Sequence, residues 1–117
     1  MMKTKTLFSK VVGVTFEGRQ KILAQMQGFE IIQLRPEPDN KYDGNAIAVW
    51  VAFPPEAQME TAHIGYIPKE LASEIAPHMD GEFFIGEVDH MIGGFQTREG
   101  ENASLGCVIR VEIPDDE

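Results

Sequence analysis

The chain has little of what most chemistries require. There is one cysteine in 117 residues, Cys107, so no disulfide can form within it. Such usage suits a reducing compartment. No apolar run approaches the roughly 18 residues of a membrane span. The start, MMKTKTLFSKVVGV, carries lysines but no stretch long enough for a signal-peptide core. We therefore expect a cytoplasmic protein with no membrane partner, in which the Asn102-Ala103-Ser104 glycosylation match has no secretory context. Cations are scarce too. Ten Lys/Arg face 19 Asp/Glu, a net charge of −9, which excludes a protein that coats nucleic acid along its length.

Catalytic and metal signatures are also missing. His63, His78 and His90 are scattered over the chain, no serine lies in a nucleophile elbow, and no glycine-rich loop ends in Gly-Lys-Ser/Thr. No enzyme is expected. The run from Asp39 to Gly44 begins like a calcium loop, but Lys41 takes the third ligand position and Trp50 the twelfth, where a glutamate is required. One cysteine leaves no zinc site of the usual kind, and His78, His90 and Cys107 are the remaining metal set. Neither a metal nor a cofactor is expected.

The acidity is unevenly spread. Residues 1–69 hold eight Lys/Arg and seven Asp/Glu, whereas residues 70–117 hold two Lys/Arg and twelve Asp/Glu, including the tail Asp115-Asp116-Glu117. Such a segment either keeps the protein soluble or faces a basic partner. The second option makes the chain a protein-interaction module or a DNA mimic.

The pattern of elements is that of one small β domain over 1–117. Residues 8–16 (FSKVVGVTF) are β-branched and aromatic and predict a first strand. Residues 19–26 predict one or two helical turns ended by Gly28. Residues 29–35 predict a second strand stopped by Pro36 and Pro38, and 45–53, apolar on both faces, a central strand ended by Pro54-Pro55. A short strand follows at 62–67. Pro68 then suits the first position of a helix, on which Leu71, Ile75 and Met79 form one apolar stripe. Residues 82–91 predict a fifth strand. In the last, Leu105, Cys107, Ile109, Val111 and Ile113 alternate with polar or small residues, which places Cys107 inside as an inert thiol. Gly13, Gly65, Gly86 and Gly106 fall within strand patterns, where bulges and barrel corners favour them. The expected fold is mainly β with one or two helices, a small OB-like six-stranded barrel, partly closed and capped by a helix, with a flexible loop at 93–102.

The densest segment is RPEPDNKYDGNAIAV, 35–49. It sets a ring, Tyr42, beside a carboxylate, Asp43, in a turn between Pro, Asn and Gly punctuation. Two readings stand. The tyrosine can pack over its own loop while Asp43 bonds backbone amides. Alternatively, the ring stacks on a planar ligand and the acid accepts a hydroxyl. Lys41 and Lys69 are candidate phosphate partners, Lys69 falling in the first helical turn, where free N–H groups favour anions.

Three segments in order, VVGVTFEG at 11–18, the 35–49 segment and IGYIPKELA at 64–72, make the chain resemble the HIRAN domain. The similarity runs from about Val11 to Met79. The resemblance implies an OB-like barrel that captures the 3′-hydroxyl end of single-stranded DNA in repair or replication-fork processing, with a helicase or nuclease as protein partner. It implies Tyr42 and Phe16 as the rings on the terminal base, Asp43 as the acceptor for the 3′-hydroxyl, and Lys69 as a phosphate contact. Thr15 and Tyr66 stand where the family has an arginine and a histidine. Tyr66 thus belongs to the implied site but brings no cation.

Overall fold

The computed structural model describes residues 3–53, 61–94 and 104–114. In chain order the elements are β1 (Thr4–Lys10), α1 (Arg19–Leu23), β2 (Ile31–Pro36), β3 (Ile47–Ala52), β4 (Thr61–Tyr66), α2 (Lys69–Met79), β5 (Phe84–Ile92) and β6 (Gly106–Pro114). All six strands join one sheet in the order β1-β6-β5-β2-β3-β4, every neighbouring pair antiparallel.

Burial follows side-chain alternation. On β6, Cys107, Ile109, Val111 and Ile113 are buried while Arg110 and Glu112 face solvent, as period two requires. On β2, Ile32 and Leu34 enter the core and Ile31 stays out. β3 buries Ile47, Val49 and Val51 in the core by the same alternation, and Ala48 is buried on its other face. From α2, Ala72, Ile75 and Met79 join the same core, with Leu71 packed at its edge. Pro68 is the residue before the first helical turn, in an extended conformation (φ −52°, ψ 141°), one place earlier than the sequence predicts. Burial also pushes the Cys107 thiol up to about 12, in keeping with an inert core cysteine.

One expectation needs correction and another holds only loosely. The first concerns the opening strand, which runs over Thr4–Lys10 rather than 8–16. Gly13 (φ 71°), Glu17 (φ 55°) and Gly18 (φ 75°) adopt left-handed backbone, which turns the chain out of the extended path. The side chains after this turn hold it in place. Gln20 donates through Nε2 to the carbonyls of Val14 (2.9 Å) and Leu105 (2.8 Å), and its Oε1 accepts the Leu105 amide (2.8 Å).

The second concerns the barrel. The sheet is curled but not closed, so it has two edges, β1 and β4. Just past β1, the chain meets β4 at a single bridge: Val12 and Tyr66 exchange amide-to-carbonyl bonds of 2.9 Å in both directions. The left-handed turn that begins at Gly13 stops the ladder from extending. One register irregularity does fall beside a strand glycine: Val49 pairs with Gly65 and Trp50 with His63, which leaves Ile64 as the extra residue on β4. The other, at Val88/His90, lies away from Gly86 and Gly106. Gly65 also serves close approach, since a Cβ there would lie 2.3 Å from the Val12 carbonyl oxygen and 2.6 Å from Val11 Cγ1. Pro54-Pro55, most of the 93–102 loop and the 115–117 tail lie outside the described residues.

The bridge makes a stability contrast measurable. Gly65→Ala drives a methyl into backbone and is expected to cost about 3 kcal/mol, the upper end of overpacking. Gly18→Ala meets no atom within 4 Å and carries only the left-handed penalty of about 1–2 kcal/mol. Urea midpoints of the two variants give the comparison. Equal losses would mean that the contact at Val12 is easily relieved.

Candidate nucleic-acid interface

Three segments meet beside the Val12–Tyr66 bridge: the turn after β1, the loop from Glu37 to Ala46, and the junction of β4 with α2. Between them lies a cavity of about 590 Å³ lined by Val12, Phe16, Glu17, Arg19, Asn40, Tyr42, Asp43, Ala46, Tyr66, Ile67 and Lys69. That size is within the roughly 300–1,000 Å³ of small-ligand clefts.

The loop owes its shape to Asn40. Its side-chain oxygen accepts the amides of Tyr42 (2.9 Å) and Asp43 (3.1 Å), and its amide nitrogen donates to Glu37 Oε1 (3.0 Å). An asparagine that bonds the backbone two and three residues ahead forms the local turn by itself. Asp43 then accepts the Asn45 amide through Oδ1 (2.9 Å), and its carbonyl accepts the Ala46 amide (3.0 Å). Glu37 and Ala46 close the loop base with an amide-to-carbonyl bond of 2.9 Å.

This geometry carries parts of both readings of the turn. The Tyr42 ring is 83% exposed, so it does not pack over its own loop. Asp43 does bond the backbone, but with one oxygen. Its Oδ2 has no hydrogen-bond partner among the described residues. Phe16 is also exposed, at 65%, at the tip of the opposite turn. Two uncovered rings and a half-engaged carboxylate thus border one cavity.

Of the residues expected at the site, Phe16, Tyr42, Asp43, Tyr66 and Lys69 line the cavity. Lys41 does not. Its Nζ lies 5.1 Å from the centre of the Tyr42 ring, a cation–π contact outside the lining. Arg35, which opens the 35–49 segment, is occupied elsewhere. Its guanidinium lies 4.1 Å over Trp50 and 5.0 Å over Phe83 and donates to Gln33 Oε1.

Sequence reasoning missed a polar network behind the cavity wall. Arg19 is buried, donating through Nη1 to the Gly13 carbonyl (2.7 Å) and through Nη2 to Glu17 Oε2 (2.9 Å). Nη2 also lies 3.4 Å from His63 Nδ1. The other imidazole nitrogen, Nε2, is 2.8 Å from the Gly65 carbonyl, which can only accept. Hence Nε2 carries the proton and Nδ1 faces arginine with its lone pair. Burial, and next the Arg19 charge, hold the His63 imidazolium below its ordinary range. The ring meets Tyr66 edge-on at 4.9 Å and stacks on Trp50 at 5.2 Å. Tyr66 donates its hydroxyl to Glu37 Oε1 (3.0 Å). Burial and this carboxylate push the phenol up, so it stays protonated and its one donor is already used.

Comparison with known families agrees with the geometry. The profile described as HIRAN domain matches residues 4–112, well beyond the 11–79 that the motifs alone suggest. No curated protein and no solved structure gives a significant match.

The neutral histidine has a pH consequence. Its folded value lies below the ~6.5 of a free imidazole, so in the window between them the unfolded chain binds a proton that the folded chain does not. Stability therefore rises with pH through that window and is lost as pH falls from about 6.5 toward the folded value. Arg19, Glu17, Glu37 and Tyr66 are the charged or titratable groups around the ring. The melting temperature of wild type is expected to drop more than that of His63→Gln between pH 7 and pH 5.5. Parallel curves would show that the network tolerates an imidazolium.

Proposed function

Since the chain belongs to the HIRAN domain family, a family of nucleic-acid-binding modules, we propose that it captures the 3′-hydroxyl end of single-stranded DNA without catalysing a reaction. In this reading Phe16 and Tyr42 stack on the terminal base and Asp43 accepts the 3′-hydroxyl. Lys69, the first residue of α2, meets a phosphate. The cellular setting is DNA repair or replication-fork processing in the cytoplasm, beside a helicase or nuclease. The observation behind the reading is the shared cavity of two exposed rings and Asp43, whose Oδ2 is unengaged among the described residues.

The energetics suit an acidic domain. Stacking contributes ~1–3 kcal/mol per base without any basic surface. A hydrogen bond from the hydroxyl to a carboxylate contributes ~1.5–3 kcal/mol. A 3′-phosphate would instead bring a second negative charge against Asp43. The site reads one end, so few phosphates need be neutralised.

The test is a titration of short labelled oligonucleotides that differ only at the 3′ terminus. Wild type is expected to prefer the hydroxyl to the phosphate, and Asp43→Ala to lose that preference. Equal binding of both ends by wild type would overturn the capture mechanism. Phe16→Ala and Tyr42→Ala should each weaken binding by ~1–3 kcal/mol. The salt dependence should be shallow, a log–log slope of roughly −1.4 to −2.1 for two or three phosphates on a single strand. The rival reading is a module that presents its acidic half to a basic protein. It predicts that neutralising Glu99, Glu101 and the tail Asp115-Asp116-Glu117 weakens binding while Asp43 does not matter.

A further inference from the structure

Arg19 and Glu17 form an ion pair with unequal ends. The arginine side chain is 7% exposed, the glutamate 76%. Arg19 is fixed from behind by the Gly13 carbonyl and bordered by the lone pair of a neutral His63. Among the described residues, Glu17 is its one salt-bridge partner. Both residues line the cavity that holds Phe16, Tyr42 and Asp43.

Glu17 is also held in an unusual way. Its backbone is left-handed, φ 55°, a conformation that costs a residue with a Cβ and that glycine or asparagine adopts more readily. Its neighbour Gly18 is left-handed as well. The turn thus carries a carboxylate on strained backbone to a buried guanidinium. An exposed carboxylate that leaves is rehydrated at once. The buried cation it leaves behind requires another anion. The pair is therefore exchangeable at the glutamate end and fixed at the arginine end.

We infer that Arg19 is the anion-binding group of this cavity and that Glu17 occupies it until a phosphate of the incoming strand takes its place. A phosphodiester offers a guanidinium the same pair of charged oxygens as a carboxylate does. The exchange conserves charge. One anion arrives on Arg19 as another is released to solvent, so the cation freed from the strand is matched by one gathered around Glu17. Such a contact positions the nucleotide while adding little salt dependence. The identity of the ligand as a single strand rests on the proposed function; the anion site does not.

Two variants test this. Glu17→Gln keeps the length and an acceptor but removes the charge, and Glu17→Gly removes the side chain and the backbone strain together. Both are expected to bind a 3′-hydroxyl oligonucleotide more tightly than wild type at low salt, by roughly two- to fivefold, the range of a modest ion pair. Their salt slope should steepen by about 0.7, one further phosphate on a single strand. Adding Arg19→Gln should remove both gains, because no cation is then left there to neutralise a phosphate. A brace that merely holds Arg19 would behave in the opposite way, with binding weakened and melting temperature lowered together. Oligonucleotide binding that is unchanged or weaker in both variants, while wild type still prefers the 3′-hydroxyl, overturns the inference and leaves the proposed function standing. Inorganic phosphate, followed through the amide resonances of Gly13 and Gly18, separates the reverse case. Uptake that is stronger in Glu17→Gln, with no oligonucleotide bound by any variant, supports the anion site and rejects the strand as its ligand. If neither phosphate nor oligonucleotide binds, both fall.

Discussion

Two hydrogen bonds do most to set the shape of this domain's main cavity. The amides and carbonyls of Val12 and Tyr66 meet at 2.9 Å where the two edges of an open sheet touch. Together with the bonds of Gln20 and Arg19, that contact fixes the turn carrying Phe16, Glu17 and Arg19 relative to Tyr66 and Lys69. Gly65 permits it, since a side chain there would strike the Val12 carbonyl. An open sheet with one bridge is a different object from a barrel. A closed ladder would continue hydrogen bonding along the seam, whereas here the left-handed turn takes over after one residue pair and leaves a gap. The gap is the cavity.

Polar groups then connect the three walls. Arg19 reaches from the turn to His63 on β4, His63 meets Tyr66, and Tyr66 reaches Glu37, which also holds Asn40 in the loop that bears Tyr42 and Asp43. Each half-buried member has its partner, and no buried side-chain polar atom is left unpaired among the described residues. Satisfied networks of this kind rigidify what they span, while a half-satisfied one is costly. The phenol and the imidazole therefore serve position more than recognition. The single hydroxyl donor of Tyr66 is committed to Glu37.

Much of this was legible in the sequence where a regular period or a special residue marked it. The alternation from Leu105 to Ile113, the stripe of Ile75 and Met79, and the apolar run through β3 place the core correctly. Asn40, Tyr42 and Asp43 lie in a turn, as their punctuation implies. The strand expected at 8–16 misled because β-branched composition describes side chains, not φ, and residues 13, 17 and 18 reverse the sign of φ. Arg19 was illegible for another reason. In one dimension it is a charge opening a short helix, an ordinary surface residue. Its burial depends on Gly13 from the same turn and His63 from a distant strand, contacts that no local pattern encodes.

The net charge of −9 describes the whole chain and says little about the cavity. Part of the acidity is neutralised locally, where Glu87 pairs with Arg110 across β5 and β6. Within the cavity, Glu17 and Asp43 face Arg19 and Lys69, two charges of each sign. Screening reduces the repulsion from the remaining acids beyond about 8–10 Å at physiological salt. What the excess does oppose is a long nucleic-acid track, because every further phosphate would run over acidic surface. In the proposed reading, this balance favours a strand's end over its length, because an end needs few phosphates neutralised.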